Sequence, residues 1–339
     1  MPELRLDPIT REWVILAPER AKRPEGLTLS KKKEVEASEH KDCFFCEGNE
    51  KETPSEVLAY SENESRKKDG SGWKVRVFPN KFPVLVSGGK FEVRQSGIYE
   101  SADAVGFHEI IATVDHCKPP ALFSSEEMEM MLRAYEDRFN AHCVKDVVKY
   151  VLIIYNHGRK AGASLAHPHS QLFAVPVISI FLKRELDGAR NYFEKNKKCV
   201  FCDMMEKEVY AEKGKRVVFE NDGFIAFEPY ASKNPFETWI LPKKHKPYFQ
   251  IVDYKERVML GDCLRTVLKK LYKGLNDPSF NYYIKSAPCD ENNYQDYYHW
   301  HLEILPRLAT RAGFEYGTGI IVNTMDPDEA AVFLREVKI

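Results

Sequence analysis

The sequence predicts an α+β chain made of two tandem copies of one unit, each a mainly antiparallel sheet with packed helices. Three observations carry that prediction. Two Cys-x-x-Cys pairs, CFFC with Cys43 and Cys46 and CVFC with Cys199 and Cys202, each stand at the head of the same series of segments. After the first come the apolar run HEIIATV, then His116, then the stretch LAHPHSQLF with His167 and His169; after the second come FETWIL, then His245, then YHWHLEILP with His299 and His301. His116 and His167 are 51 residues apart and His245 and His299 are 54 apart, so the copies agree in spacing as well as order, the mark of an internal repeat.

Each element has its own signal. In the first copy SSEEMEMMLRAYEDRFNAHC, 124–143, reads as a helix, with serines able to cap it and glutamates in its first turn. The strand VVKYVLIIYN, 147–156, comes next, and then a His-x-His strand that runs into Pro176. Alternate side chains of an extended chain share a face, so His167, His169 and Gln171 line one wall while Pro168, Ser170 and Leu172 face the other way. In the second copy DYKERVMLGDCLRTVLKKLYKGL, 253–275, has apolar residues at helical spacing, FNYYIKSA, 280–287, is the strand, and the His-x-His strand ends at Pro306. The first copy is longer between Cys46 and His116 than the second is between Cys202 and His245, and the surplus falls in ENESRKKDGSG and SGGKFEVRQSG, which read as exposed loops. FLKRELDGARNYFEKNKK, 181–198, reads as a helix leading into the second copy, which divides the chain into domains at 1–195 and 196–339.

A chain of 339 residues is long enough for two such domains. Its 50 basic and 51 acidic residues nearly cancel, which removes a general electrostatic case for nucleic acid or an anionic membrane. Apolar runs such as VLII, 151–154, fall far short of the ~20 residues that span a bilayer, and no charged-then-apolar leader opens the sequence. The expected compartment is the cytosol. There eight cysteines read as thiols or metal ligands rather than disulfides. A redox role for the Cys-x-x-Cys pairs is the rival reading, but a redox pair should open a helix after a strand, whereas Cys43 comes after the charged run KKKEVEASEHKD. Cys117, Cys143, Cys263 and Cys289 are scattered and read as buried structural thiols.

The combination of GASLAHPHSQ with an upstream Cys-x-x-Cys, the early RAKRPEG and a duplicated half with HWH resembles the galactose-1-phosphate uridylyltransferase family of the histidine-triad superfamily, over nearly the whole chain. Serine at position 170 and the ending GFEYGTGIIVN also resemble the related ADP-glucose phosphorylases. The resemblance implies two histidine-triad-like domains, the first catalytic and the second structural and substrate-supporting. It implies transfer of a nucleoside monophosphate between a nucleotide sugar and a hexose 1-phosphate, with UDP-glucose and galactose 1-phosphate the leading pair, through a nucleotidyl-histidine on His169. Phosphorolysis of an ADP- or UDP-hexose is the neighbouring alternative, and a zinc-stabilised nucleotide-binding protein the non-enzymatic one. His167 matches the family's metal ligand, so Cys43, Cys46, His116 and His167 are the expected ligands of one zinc ion and Cys199, Cys202, His245 and His299 of a second, each set closed to water. Gln171 stands where hydrolytic relatives carry a titratable histidine; an amide can hydrogen-bond a phosphate but not shuttle a proton, which favours transfer over hydrolysis. Arg20, Arg23, Asn80, Asn156, Gly162 and Ser164 match family positions near the nucleotide and phosphates. Ala163 excludes a thiol role sometimes present at that place. In the second half Glu303 takes the place of Gln171, where a carboxylate would repel phosphate, and His301 aligns with His169 as a second nucleophile to be tested. Glu185 matches a glutamate that ligates metal in some relatives but is redundant beside two cysteines. The family implies a homodimer.

Overall fold

The computed structural model describes residues 1–22, 43–249 and 253–339. The charged run before Cys43 and the expected substrate contact Arg23 lie outside them. The chain opens with the hairpin β1 (Glu3–Leu6) and β2 (Trp13–Leu16), whose turn is closed by Asp7 accepting from the Ile9 and Thr10 amides at 2.8 Å each. The strands β3 (Leu58–Tyr60) and β4 (Val75–Pro79) come next, then the small hairpin β5 (Arg94–Ser96) and β6 (Tyr99–Ser101), and β7 (Phe107–Thr113). Helix α1 (Ser125–Cys143) begins at a capping box in which Ser124 accepts from the Glu127 amide and the Glu127 carboxylate accepts from the Ser124 amide, an arrangement stabilising by about 1 kcal/mol. After it come β8 (Tyr150–His157) and β9 (His169–Val175).

Helix α2 (Ile180–Asn196) and the short α3 (Val200–Glu206) lead into the second half: β10 (Val217–Glu220), β11 (Phe224–Phe227), β12 (Thr238–Pro242), α4 (Tyr254–Gly274), β13 (Phe280–Lys285) and β14 (His301–Pro306). Asp253 caps α4 by accepting from the Glu256 amide at 2.8 Å. The helix α5 (Gly313–Thr318), β15 (Ile321–Asn323) and α6 (Pro327–Glu336) complete the chain, and β15 joins the opening hairpin in the order β1-β2-β15.

The main sheet has ten strands in the order β10-β11-β12-β14-β13-β8-β9-β7-β4-β3, and every neighbouring pair in it is antiparallel. Counted outward from its centre, each half repeats one plan: β8, β9, β7, β4, β3 on one side and β13, β14, β12, β11, β10 on the other. The halves meet where β8 pairs with β13, Phe280 opposite His157 and Ile284 opposite Ile153. The expected division at 195 and 196 falls in the last turn of α2, and no break in the sheet accompanies it.

One face carries the large core, in which α1 lies over the strands of the first half, α4 over those of the second, and the two helices pack together, burying Tyr135, Phe139, Leu264, Val267, Tyr282 and Trp300. At ~1.5–3 kcal/mol for each large apolar side chain, this layer is the main driving force for joining the halves. Arg257 of α4 pairs with Glu129 (3.0 Å) and Glu136 of α1. The other face is covered unevenly. Over the second half α2 packs Leu182, Leu186 and Ala189 against Ile225, Phe227 and Trp239. Gly188 lets the turn between β1 and β2 close onto α2, since a Cβ there would fall 1.9 Å from the Ile9 carbonyl oxygen.

Four expectations need correction. Cys143 and Cys289 are not buried thiols but are joined as a disulfide, because the end of α1 meets the loop after β13 with 5.2 Å between the two Cα atoms. Cys117 is exposed, while Cys263 is buried as expected. The loop 62–72 is not simply exposed: Arg66 buries its guanidinium on Glu56 at 2.7 Å, and Glu56 also accepts from Arg76 at 2.9 Å. In the segment 87–97, β5 makes a hairpin with β6.

Candidate active site and metal centres

The register of β7 against β9 sets the site. Ala112 lies opposite His169 and Ile110 opposite Gln171, so His108, Ile110 and Ala112 share a face with His169, Gln171 and Phe173. Ser170 points the other way, into the core, where its hydroxyl bonds Tyr135, which in turn bonds Tyr282 of the second half at 2.6 Å. The His169 ring is buried, edge-on to Phe45 with 5.1 Å between centroids, and its Nδ1 lies 2.8 Å from the His167 carbonyl. A nitrogen facing a carbonyl must carry the proton. Nε2 of neutral His169 is therefore the nitrogen with the free lone pair. Burial pushes the His169 ring below its ordinary range and so favours the neutral form, against the hydrogen bond to His167.

Beside it Cys43, Cys46, His116 and His167 converge, with one ligand atom from each within 4.8 Å of all the others. Cys46 Sγ lies 3.2 Å from His116 Nδ1 and 3.6 Å from His167 Nδ1, and Cys43 Sγ lies 3.6 Å from the latter. His167 donates from Nε2 to the Thr113 carbonyl at 2.6 Å, which leaves Nδ1 as a lone-pair donor toward the sulfurs. Burial pushes His167 down to about 4, so the ring is neutral as a ligand must be. Cys46 is driven up to about 12 by burial and by Cys43; two thiolates cannot share this space without a cation. The donor set fits a metal ion.

The second half repeats the plan. Cys199, Cys202, His245 and His299 form a second convergent set. His299 donates from Nε2 to the Pro242 carbonyl at 2.9 Å and His245 to the Gln295 carbonyl at 2.6 Å, again turning both Nδ1 atoms toward Cys202, at 3.5 and 3.3 Å. Hydrogen bonding from Cys202 pushes Cys199 down to about 3 while Cys202 is pushed up, the signature of two sulfurs competing for one proton.

Around His301 the likeness ends. Its Nδ1 faces the His299 carbonyl at 3.0 Å, as in the first half, but its Nε2 is 3.2 Å from Glu303, and the ring has no solvent exposure and stacks on Trp239. Both ring nitrogens face acceptors, so neither offers the free lone pair that His169 Nε2 does. Glu303 also accepts from Tyr283 at 2.6 Å and Lys285 at 2.7 Å. Burial would raise this carboxyl, but Lys285 and His301 outweigh it and hold it well below the usual range. Glu185, expected to be redundant, reaches in from α2, accepting from Lys285 at 2.5 Å and from Tyr298 at 2.7 Å. Glu185, His301 and Glu303 converge as a metal could require. The ammonium of Lys285 already supplies the positive charge between the two carboxylates. Of the groups lining the cavity of about 540 Å³ above this cluster, Lys285 is paired with Glu185 and Glu303, and Lys233 with Glu12.

The remaining expected residues divide. The Gln171 Oε1 lies 2.8 Å from His108 Nε2, and the Asn80 amide nitrogen is 3.1 Å from the same ring nitrogen. Asn156 accepts from Asn281 of β13 at 2.7 Å, and Asn281 also donates to the Ala161 carbonyl, so the second half braces the loop that carries Gly162 and Ser164. Gly162 takes the left-handed conformation (φ 86°) that the loop needs. Arg20 is exposed on the turn Pro18–Lys22, and no hydrogen bond among the described residues ties its guanidinium to this cluster. Sequence reading missed His108, Asn281 and the Lys285 group. His108 had a signal in its alternation with Ile110 and Ala112 at the start of an apolar strand, and the other two had none.

The model of the galactose-1-phosphate uridyl transferase N-terminal domain matches residues 1–179, more than half of the chain. The chain belongs to the galactose-1-phosphate uridyl transferase family. A domain model of unknown function, DUF4921, matches residues 120–335. Among relatives, the ADP-glucose phosphorylase of Arabidopsis thaliana is 35% identical over 342 residues, all of this chain and 93% of that one. The galactose-1-phosphate uridylyltransferase of Thermotoga maritima is 28% identical over 100% of this chain and 99% of that one. The crystal structure of the Arabidopsis phosphorylase with bound ADP-glucose superposes with a TM-score of 0.83 at 33% identity, covering 100% of both chains. A uridylyltransferase structure gives 0.74 at 25% identity, covering 99% and 97%. The uridyl transferase family thus extends over both halves, and the α+β fold with its antiparallel sheet is that of these relatives. Among the described residues no helix is long and apolar enough to cross a membrane.

Proposed function

We propose that the protein transfers a nucleoside monophosphate from a nucleotide sugar to a phosphate-bearing acceptor through a covalent intermediate on His169. The observation that carries this is the pinned His169 ring: with Nδ1 held on the His167 carbonyl, the lone pair of Nε2 is presented on the face shared with Gln171. Nε2 attacks the α-phosphorus; the bond from that phosphorus to the sugar-phosphate oxygen breaks and its electron pair leaves with the hexose 1-phosphate. The positive charge that develops on the ring is stabilised through Nδ1 by the His167 carbonyl. An oxygen of the acceptor phosphate then attacks the same phosphorus, and the phosphorus–nitrogen pair returns to Nε2.

Gln171, Asn80, Asn156, Gly162 and Ser164 bind the phosphates and nucleotide, joined by Arg20 and Arg23, whose forked donors suit phosphate. Cys43, Cys46, His116 and His167 would hold one zinc ion and Cys199, Cys202, His245 and His299 a second, the thiolate and imidazole donors favouring zinc over harder cations. With four protein ligands each ion positions strands; the reaction belongs to His169. The division into a catalytic domain, 1–195, and a supporting one, 196–339, rests on the blocked His301. Exposed apolar side chains at Phe82, Val84, Val93 and Ile98 support assembly as a homodimer.

The acceptor has two readings. Exchange between UDP-glucose and galactose 1-phosphate agrees with the uridylyltransferase relatives. Phosphorolysis of ADP-glucose, with inorganic phosphate as acceptor, is favoured by the higher identity and TM-score of the phosphorylase. Incubation with UDP-glucose or ADP-glucose, mass measurement of the protein and a chase with galactose 1-phosphate or phosphate separates them. One nucleotidyl mass on the wild type and none on His169→Ala is the expected result; an undiminished adduct on His169→Ala would overturn it.

A further inference from the structure

We infer that His108 is a positioning residue that sets which end of the Gln171 amide faces the reacting phosphate. The inference deepens the proposed function and rests on it for the role of Gln171. An amide offers an oxygen on one side and an NH2 on the other, and only the NH2 can bind a phosphate oxygen. Nothing in the Gln171 backbone chooses between them. His108 does, through its own two nitrogens. The Val84 amide donates to His108 Nδ1 at 3.3 Å, so in the neutral ring the proton is on Nε2. That Nε2–H points at Gln171 Oε1, 2.8 Å away. The oxygen is thereby held on the histidine side, and the NH2 is left for the open face on which His169 stands.

The ring that makes this choice is itself fixed. It is buried, and it stacks on Phe173 with centroids 4.2 Å apart and planes 25° apart. Burial lowers its affinity for a proton, working against the hydrogen bond to Gln171, and so keeps the neutral form that has one donor and one acceptor. Asn80 steadies the turn beside the ring: its side-chain oxygen accepts the Phe82 N–H at 2.9 Å and its backbone donates to the His108 carbonyl at 2.8 Å, while its Nδ2, 3.1 Å from His108 Nε2, faces a protonated nitrogen and makes no hydrogen bond there. In the second half the place of Gln171 holds Glu303, whose carboxylate has no amide end to choose, and there Tyr283 and Lys285 are its donors.

The test combines a double-mutant cycle with a direct reading of the proton. His108→Ala should slow formation of the nucleotidyl-histidine on the order of tenfold, the loss of about one oriented hydrogen bond, with KM changed within about twofold. In a Gln171→Ala background the same change should cost nothing more, because the group it orients is gone. His108→Gln, whose amide can accept from Val84 and donate to Gln171, should recover most of the rate. Ring-nitrogen NMR shifts of histidine-labelled wild type should place the His108 proton on Nε2. A tenfold loss repeated in the Gln171→Ala background would show a general structural role and overturn the inference, as would a proton on Nδ1. Should the wild type form no adduct with either sugar nucleotide, the proposed function fails, and the nitrogen shifts still decide the orientation of His108.

Discussion

The two halves place the same His-x-His spacing at the head of matching strands, β9 and β14, and surround it with opposite environments. His169 and His301 each face a carbonyl two residues back through Nδ1. In the first half Gln171 is next on that face and is bound sideways by His108; in the second, Glu303 is next and occupies His301 Nε2. Around this single difference the rest of each site is consistent. The second half fills its face with Trp239, Lys285 and Glu185 from α2, making a closed set of charges, while the first leaves Gln171 partly exposed. On the proposed function, a duplicated histidine is thus kept from acting as a nucleophile by its neighbours while the Cys and His set beside it is kept.

The sharpest break of this comparison is at the nucleophile. His169→Ala should lower transfer by at least ~10³-fold and remove the adduct, whereas His301→Ala should retain the adduct and lower thermal stability instead. Mass spectrometry of both variants after exposure to a sugar nucleotide checks this; a label on His301 would erase the distinction between halves. Next in size is metal. Elemental analysis should return two zinc ions per chain, and Cys43→Ser should cut transfer by ~10–100-fold, since His167 of that set is two residues from the nucleophile. Cys199→Ser should act chiefly on the melting temperature; equal losses of activity from both would show that the second set reaches the chemistry.

How far the sequence revealed this depends on the range of the interactions. The repeat, the serine cap of α1 and the spacing of both Cys/His sets are written in the sequence, so Ser124 and the eight converging Cys and His positions could be read directly, whereas the Asp253 cap of α4 was not. The seam between β8 and β13 could not, because the alternation along each strand shows which face is buried and not which strand lies beside it. The Cys143–Cys289 bond is a consequence of that seam and was equally hidden. Lys285 carries no signal either: its effect depends on two carboxylates 100 residues before it and 18 after it, brought together only by α2 and β14.

A smaller effect is expected at the position that separates the two strands chemically. Gln171→His should raise the share of intermediate lost to water by roughly tenfold, measured as hydrolysis of the isolated adduct without acceptor; unchanged hydrolysis with transfer intact would refute the contrast between amide and imidazole. Smallest in activity is reduction of the disulfide. It should lower the melting temperature by ~5–10 °C for so long a closed loop while transfer stays within about twofold, and a calorimetric scan with and without reductant reads it.

The pairing of β8 with β13 also governs what the pieces could do alone. Residues 1–195 expressed without the rest would present the whole outer row of β8 amides and carbonyls to solvent, flanked by the apolar side chains of Ile153 and Tyr155 that β13 now covers. Such an edge is a template for adding another strand. The fragment should therefore be recovered either as a self-paired dimer through β8 or as an aggregate, and a short peptide copying β13 would compete for the same row.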